Sequence, residues 1–385
     1  MGQGPLSGVT IVDLTAMVMG PYATQIMADL GADIIKIEAP SGDTNRYISV
    51  GPAPGMGGVF VNTNRGKRSV VLDLKTQGDK AKLRAIIKTA DVFIHSFRAK
   101  AINQLGFSYT EVASINPQII YTNCYGYGRG GPDRDLTAYD DIIQAECGIP
   151  AVQAMLTGEP GYAATIVADK VSGLHALYAT LAALFHRQKT GEGQEVEVGM
   201  FEAMASFMLV EHANGALFTP PTTPAVYHRV VTPNRKPYKT KDGYLAAMVY
   251  NDKQWDKFVA AVQPAWAMGP EFVTLELRAK QVETVYDLLG QTFLERTTQQ
   301  WLDLLRSLDI PAAPLRTPAE LFDNEHLNAV DFFETVDSST GPIRFPGVPT
   351  RFSRTPGKVA GPAPSLGEHT EQVLREYGLD EDTAG

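Results

Sequence analysis

The first half of the chain alternates short apolar runs with segments of helical periodicity, and this alternation limits the fold more than any other feature. Residues 9–14 read as a strand. Gly20-Pro21 then opens a helix, because proline fits the first helical turn without losing a needed N–H. Tyr22, Ala23, Ile26, Met27 and Leu30 share one face at helical spacing. Gly31 ends that helix, and residues 33–38 supply the next strand. Further strands are expected at 69–74, 91–96 and 118–124. Helical segments lie between them, one opening on a Ser108…Glu111 capping box and stopped by Pro117. The pattern predicts an α/β fold with a mostly parallel sheet covered by helices. Ligands of such sheets bind outside the carboxyl ends of the strands.

Asp169 opens the longest helical signal, in which Val171, Leu174, Tyr178, Leu181 and Phe185 form an apolar stripe running towards Arg187. Gly191-Glu192-Gly193-Gln194 turns the chain into a strand at 195–198, and an amphipathic helix follows Met200. At 218–231 the texture changes to proline, threonine and valine and reads as a linker. A smaller α+β region follows, with a strand at 243–249 and helices at 251–262, 282–297 and 299–308. Thr317-Pro318-Ala319-Glu320 has the form of a capping box that starts another helix. Strands and loops come after residue 329, then a short helix at 371–377. A chain of 385 residues exceeds one compact core. The expected division is a large domain over 1–217 and 334–385, a small domain over 232–318, and linkers at 218–231 and 319–333.

Hydrophobic residues at 44% and charged residues at 20% are ordinary for a globular protein. No apolar run approaches the roughly 20 residues of a membrane span. The start lacks the basic and apolar regions of a signal peptide, so a cytoplasmic location is expected. Cys124 and Cys147, the two cysteines, have no metal-ligand spacing, and no metal site is expected. A net charge of −9 disfavours nucleic acid or an anionic membrane as partner, so an anionic ligand needs a local basic site.

Familiar catalytic motifs are absent or fail in context. Gly126-Tyr127-Gly128-Arg129-Gly130-Gly131 has dinucleotide-fingerprint spacing, but Pro132 and Asp133 follow and no helix begins at the third glycine. There is no phosphate-binding P-loop, no His-Glu-x-x-His and no Gly-x-Ser-x-Gly elbow. His175 and His186 fall on the long helix and read as packed or surface residues.

A set of motifs, in order along nearly the whole chain, resembles the family III CoA-transferases, which include formyl-CoA and carnitine CoA-transferases. Gly20-Pro21-Tyr22-Ala23 with Leu30-Gly31-Ala32-Asp33-Ile34-Ile35-Lys36-Ile37-Glu38 looks like the family's opening. Asn64-Arg65-Gly66-Lys67-Arg68-Ser69 with Leu72-Asp73-Leu74-Lys75 looks like its next block, and Ser96-Phe97-Arg98 like its Asn-Phe-Arg-Pro-Gly turn. Tyr139-Asp140, Gln144-Ala145, Asp169…Gly173, Gly191-Glu192-Gly193-Gln194 and Met200 follow. Asn251-Asp252-Lys253-Gln254-Trp255 and Gly367-Glu368-His369-Thr370 match further on. The resemblance implies a large Rossmann-like domain, a smaller α+β domain and an interlocked homodimer. It also implies an acyl-CoA and a small carboxylic acid as substrates, with CoA held as a thioester and no permanently bound cofactor.

The family's nucleophilic aspartate matches Asp169. In a first helical turn the positive end of the dipole favours an ionised carboxylate, which can attack a thioester and form a mixed anhydride. Taken alone, the same aspartate reads as a helix cap. Tyr139 resembles the family's active-site tyrosine, and its hydroxyl could orient the acyl group; a core aromatic is the alternative. Gly126, Gly128, Gly130 and Gly131 could let backbone amides approach an oxyanion, or form a surface turn. For CoA, Lys75 and Arg98 match basic positions in the Leu72 and Ser96-Phe97 blocks. Met17, Val18 and Met19 fall where the family's CoA-contacting loop lies, and Met200 falls near the CoA arm. Arg65, Lys67 and Arg68 read as a solvated charge run.

Some positions depart from the pattern. Ala99-Lys100 replaces Pro-Gly, His95-Ser96 replaces Glu-Asn, and Pro233-Asn234-Arg235-Lys236-Pro237 stands for Gly-Asn-x-His-Pro. The glycine-rich lid of oxalate-specific members has no counterpart, which argues against an oxalate or formate specialist. An α-methylacyl-CoA racemase shares the fold but needs a histidine base where this chain has Tyr139, and a phenol is a poor unassisted base at neutral pH. A CoA-binding protein without transfer activity is the third reading.

Overall fold

A computed structural model describes residues 4–379. The chain divides into two compact units. One runs to Gly148, resumes over Tyr162–Met208 and closes with the segment from Glu325; the other comprises Ile149–Gly161 and Leu209–Asn324.

The first unit is built on six parallel strands: β1 (Thr10–Leu14), β2 (Asp33–Glu38), β3 (Arg68–Val71), β4 (Val92–His95), β5 (Ile120–Tyr125) and β6 (Gln194–Gly199). Their order is β3-β2-β1-β4-β5-β6, so the connections run one way from β1 to β3 and the other way from β4. Ile11 pairs with Ile34 on one side and Val92 on the other. The central strands β1, β4 and β5 are buried on both faces, which explains why their sequences are mostly apolar without a polar alternation. Val12, Ile35, Val70, Phe93 and Tyr121 pack with Leu83, Ile86 and Val112 of the covering helices. The Ser108–Glu111 box forms and caps Tyr109–Ile115. The closing helix Thr370–Glu376 returns to this unit and inserts Val373 into the same core.

The long helix spans Val167–Thr190 and passes through Gly191, in a left-handed conformation at φ 77°, towards β6. Its packing corrects the expected stripe. The face buried in the chain is made of small residues: Ala168, Ser172, Gly173, Ala176, Thr180 and Ala183. Leu174, Tyr178 and Phe185 point outward at 43%, 57% and 58% exposure. Small side chains let this helix approach the Met19–Asp29 helix closely, and the larger apolar ones are left on the opposite side.

In the second unit, Tyr238–Lys239, Tyr244–Ala247 and Ala312–Pro314 form a three-stranded antiparallel sheet. Trp255, Phe258, Phe293, Trp301 and Leu305 from the helices Asp252–Val262, Val282–Phe293 and Thr298–Ser307 pack with Leu245 of that sheet. The Thr317–Glu320 box makes its reciprocal bonds, yet it leads only into the single 3₁₀ turn Ala319–Leu321 instead of a helix. No helix among the described residues is long and apolar enough to cross a membrane.

Candidate active site

β1 and β4 lie side by side while their connections leave in opposite directions, which opens a crevice at their carboxyl ends. A cavity of about 300 Å³ occupies that place. Its walls come from Ala16, Met17 and Met19 after β1, Ser96 and Arg98 after β4, and Gly126 after β5. The segment Arg134, Leu136, Thr137, Ala138 and Tyr139, with Asp169 and Met200, completes it. A larger cleft of about 720 Å³ opens at the amino-terminal edge of the sheet, against Thr10, Asp33 and Arg68. There the carboxylates that line the space are already engaged, Asp33 and Glu376 by Arg68 and Asp29 by Arg65.

The loop after β1 is held from beneath by buried charge. Lys67, fully buried, donates to Asp13 (3.1 Å), Pro21 O (3.1 Å), Thr24 Oγ1 (2.7 Å) and Asn64 Oδ1 (2.9 Å). Lys36 donates to Asp43 (3.0 Å) and Thr15 O (2.9 Å). Asn45 donates to Met17 O at 2.5 Å, and the Ser96 hydroxyl accepts from Ala16 N at 3.0 Å. Met17 is thereby kept at φ 67°, a conformation that non-glycine residues rarely adopt. Burial works against the Asp13 charge, but Lys67, Lys36 and the Thr15 and Thr24 hydroxyls outweigh it and hold its pKa at about 2. Burial works against the Lys67 ammonium as well, so the pair depends on its hydrogen bonds as much as on its charge.

These contacts correct the reading of 65–68 as a solvated charge run. Lys67 supports the β1 loop, and Arg65, 5% exposed, pairs with Asp29 at 2.6 Å. Arg46 clamps Glu38 through two hydrogen bonds of 2.6 and 2.8 Å. The acidic partners lie on other elements, so a local run of one sign could not show them.

Asp169 is the third residue of the long helix, and its carboxylate faces the cavity. Its own N–H donates to Asp140 Oδ1 at 3.0 Å, so Asp140 and not Asp169 supplies the acceptor at this helix start. The carboxylate of Asp169 accepts from the Met19 backbone. Burial, then the nearby Asp140 charge, push Asp169 up to about 6 against that hydrogen bond. The helix dipole is therefore not the dominant influence here. At neutral pH the group is still mostly ionised, and it is less solvated than a surface carboxylate. Gly173, one turn on, makes this approach to Met19 feasible. A Cβ there would lie 2.6 Å from Met19 O.

The structure brings Asp169, Tyr139, Ser96, Arg98, Gly126 and Met200 to one cavity. Tyr139 precedes the helix Asp140–Glu146 and is 59% exposed. The Arg98 guanidinium donates to the Thr137 hydroxyl. Gly126 is required by close approach, since a Cβ would meet Ala138 Cβ at 2.3 Å. Other expected residues fall elsewhere. Val18 is buried beneath the loop, Leu72 packs in the sheet core, and Phe97 packs against that core. Lys75 is exposed beyond β3. The Gly128 N–H donates to Glu202 Oε1 at 2.9 Å, while Gly130 is exposed and Gly131 N bonds to Gly128 O.

Two features gain their meaning only from the structure. Asp140 also accepts from Gln144 Nε2 at 2.5 Å, and Gln144 Oε1 accepts from Ala163 N at 2.9 Å, which ties the segment before Asp169 to the Asp140–Glu146 helix. The i,i+4 spacing of Asp140 and Gln144 was the available sequence signal. Arg134 also reaches the cavity, and nothing in its local sequence indicates this.

Comparison with known proteins agrees with this geometry. The family model described as CoA-transferase family III matches residues 6–370. The succinate–glutarate CoA-transferase of Agrobacterium fabrum is 31% identical over 99% of this chain and 97% of its own length. The acetyl-CoA:oxalate CoA-transferase of Acetobacter aceti is 31% identical over 98% and 97%. The crystal structure of Rv3272 from Mycobacterium tuberculosis, in its orthorhombic form, superposes with a TM-score of 0.83 at 29% identity, covering 95% of this chain and 98% of that one. The chain belongs to CoA-transferase family III.

Proposed function

We propose that this protein moves CoA from an acyl-CoA donor to a carboxylic acid through covalent intermediates on Asp169. The observation that carries this reading is a half-buried carboxylate, raised to about 6, facing a cavity at the switch point of a parallel sheet. In the first step a carboxylate oxygen of Asp169 attacks the thioester carbon; the C–S bond breaks and CoA leaves as thiolate. The thiolate then attacks the Asp169 carbonyl of the mixed anhydride, releasing the donor acid and leaving an aspartyl-CoA thioester. The acceptor carboxylate repeats these steps in reverse and departs as the new CoA thioester, restoring Asp169. The relatives named above, which act between CoA thioesters and acids, support this assignment.

In this reading Tyr139 orients the acyl group, and Ser96, Arg98 and Met200 border the CoA arm. Incubation with an acyl-CoA followed by hydroxylamine should give a hydroxamate at Asp169, located by peptide mass. No hydroxamate at Asp169 with any acyl-CoA offered would sink the mechanism.

The protein is further proposed to work as a homodimer. Leu174, Tyr178 and Phe185 leave an apolar face of the long helix uncovered in the single chain. The wild type should sediment at twice the chain mass. Tyr178→Glu with Phe185→Glu should shift it to the monomer, with an unchanged circular dichroism spectrum. A wild-type monomer would refute the dimer.

A further inference from the structure

Arg134 lines the reacting cavity although the thioester exchange at Asp169 does not itself require a cation there. It lies on the segment between β5 and the Asp140–Glu146 helix, and its ionic partner is the adjacent Asp135 at 3.7 Å. Both side chains are exposed, at 59% and 75%, so this pair is weak and readily exchanged for a ligand. Arg98, the other guanidinium of the cavity, is engaged with Thr137. Of the two guanidinium groups in the wall, Arg134 is therefore the one held only by an exposed, weak ion pair, beside a thioester that is itself neutral.

We infer that Arg134 determines specificity for short dicarboxylic acids and their mono-CoA thioesters. One carboxyl exchanges CoA at Asp169, and the distal, unreacting carboxylate is held by the Arg134 guanidinium, whose planar fork suits two-point binding. The cavity volume, about 300 Å³, is at the small end for ligand sites and suits a short chain better than a long acyl tail. Interaction with the remote carboxylate would orient the thioester towards the nucleophile. This inference rests on the transferase reading of Asp169.

Self-exchange provides the test: succinyl-CoA with labelled succinate, and butyryl-CoA with labelled butyrate, acids with the same chain length and a different number of carboxylates. The wild type should favour succinate in kcat/KM. In Arg134→Leu the succinate-to-butyrate ratio should fall by at least about tenfold, mainly through the succinate KM, and Arg134→Lys should restore part of it. An unchanged ratio, or a wild type that prefers butyrate, overturns the assignment. Absence of exchange with either acid, while hydroxylamine still gives the Asp169 hydroxamate with another acyl-CoA, overturns it and leaves the transferase standing. Absence of the Asp169 hydroxamate with every acyl-CoA offered removes both.

Discussion

Asp169→Asn should lower CoA exchange by at least about 10⁴-fold, the scale of losing a nucleophile, and should make the protein more stable at neutral pH. The second effect follows from the sign of the pKa shift. In the folded chain the carboxyl titrates at about 6, raised from 3.8. The native state therefore holds its proton more tightly than the unfolded chain. The favourable contribution is complete below pH 3.8 and is lost as the pH rises through about 6. Above that, an ionised Asp169 costs about 2 kcal/mol, allowing for its partial exposure. The Asn variant should recover that amount at pH 7.5 and show little gain at pH 4. Denaturant unfolding at the two pH values measures it; equal gains at both would contradict the electrostatic origin. The same shift predicts an acid limb near pH 6 in kcat/KM of the wild type, because the protonated carboxyl cannot attack.

Lys67→Met should be the most destabilising substitution beneath the site, at about 3–5 kcal/mol. It strips one donor from four acceptors and leaves Asp13 charged, buried and opposed by burial. The Asp13→Leu, Lys67→Met double variant should regain much of the loss, since removing a buried pair outright costs far less than breaking it. A denaturation cycle over the four proteins gives the coupling. Strict additivity would show that the two residues do not act as a pair.

Both predictions concern groups that the sequence displayed unequally. The parallel sheet was legible because β1, β4 and β5 are short, mostly apolar runs and the helices between them carry their own start and stop signals. Asp169 was legible through its place at a helix start and through the ordered motifs around it. The function of Lys67 was not, because its partners Asp13 and Thr24 lie on other elements, brought together only by strand order. The long helix shows a related limit. Periodicity marked Leu174, Tyr178 and Phe185 as one apolar face, but the chain's own interior took the small-residue face instead. An apolar pattern says that a face is to be covered and does not say by what. Arg134 was illegible for a simpler reason, since a loop side chain has no period to betray its direction.

Gly173 carries a consequence for how this site can change. Its missing side chain fixes the separation between the helix bearing Asp169 and the Met19 backbone. The reach of the nucleophile is thus set one helical turn away from it, by a residue outside the cavity wall. Substrate preference can drift through the cavity walls while this spacing stays fixed. An engineer wishing to advance or withdraw the carboxylate has one gauge to adjust, and any side chain added there alters it in a single step.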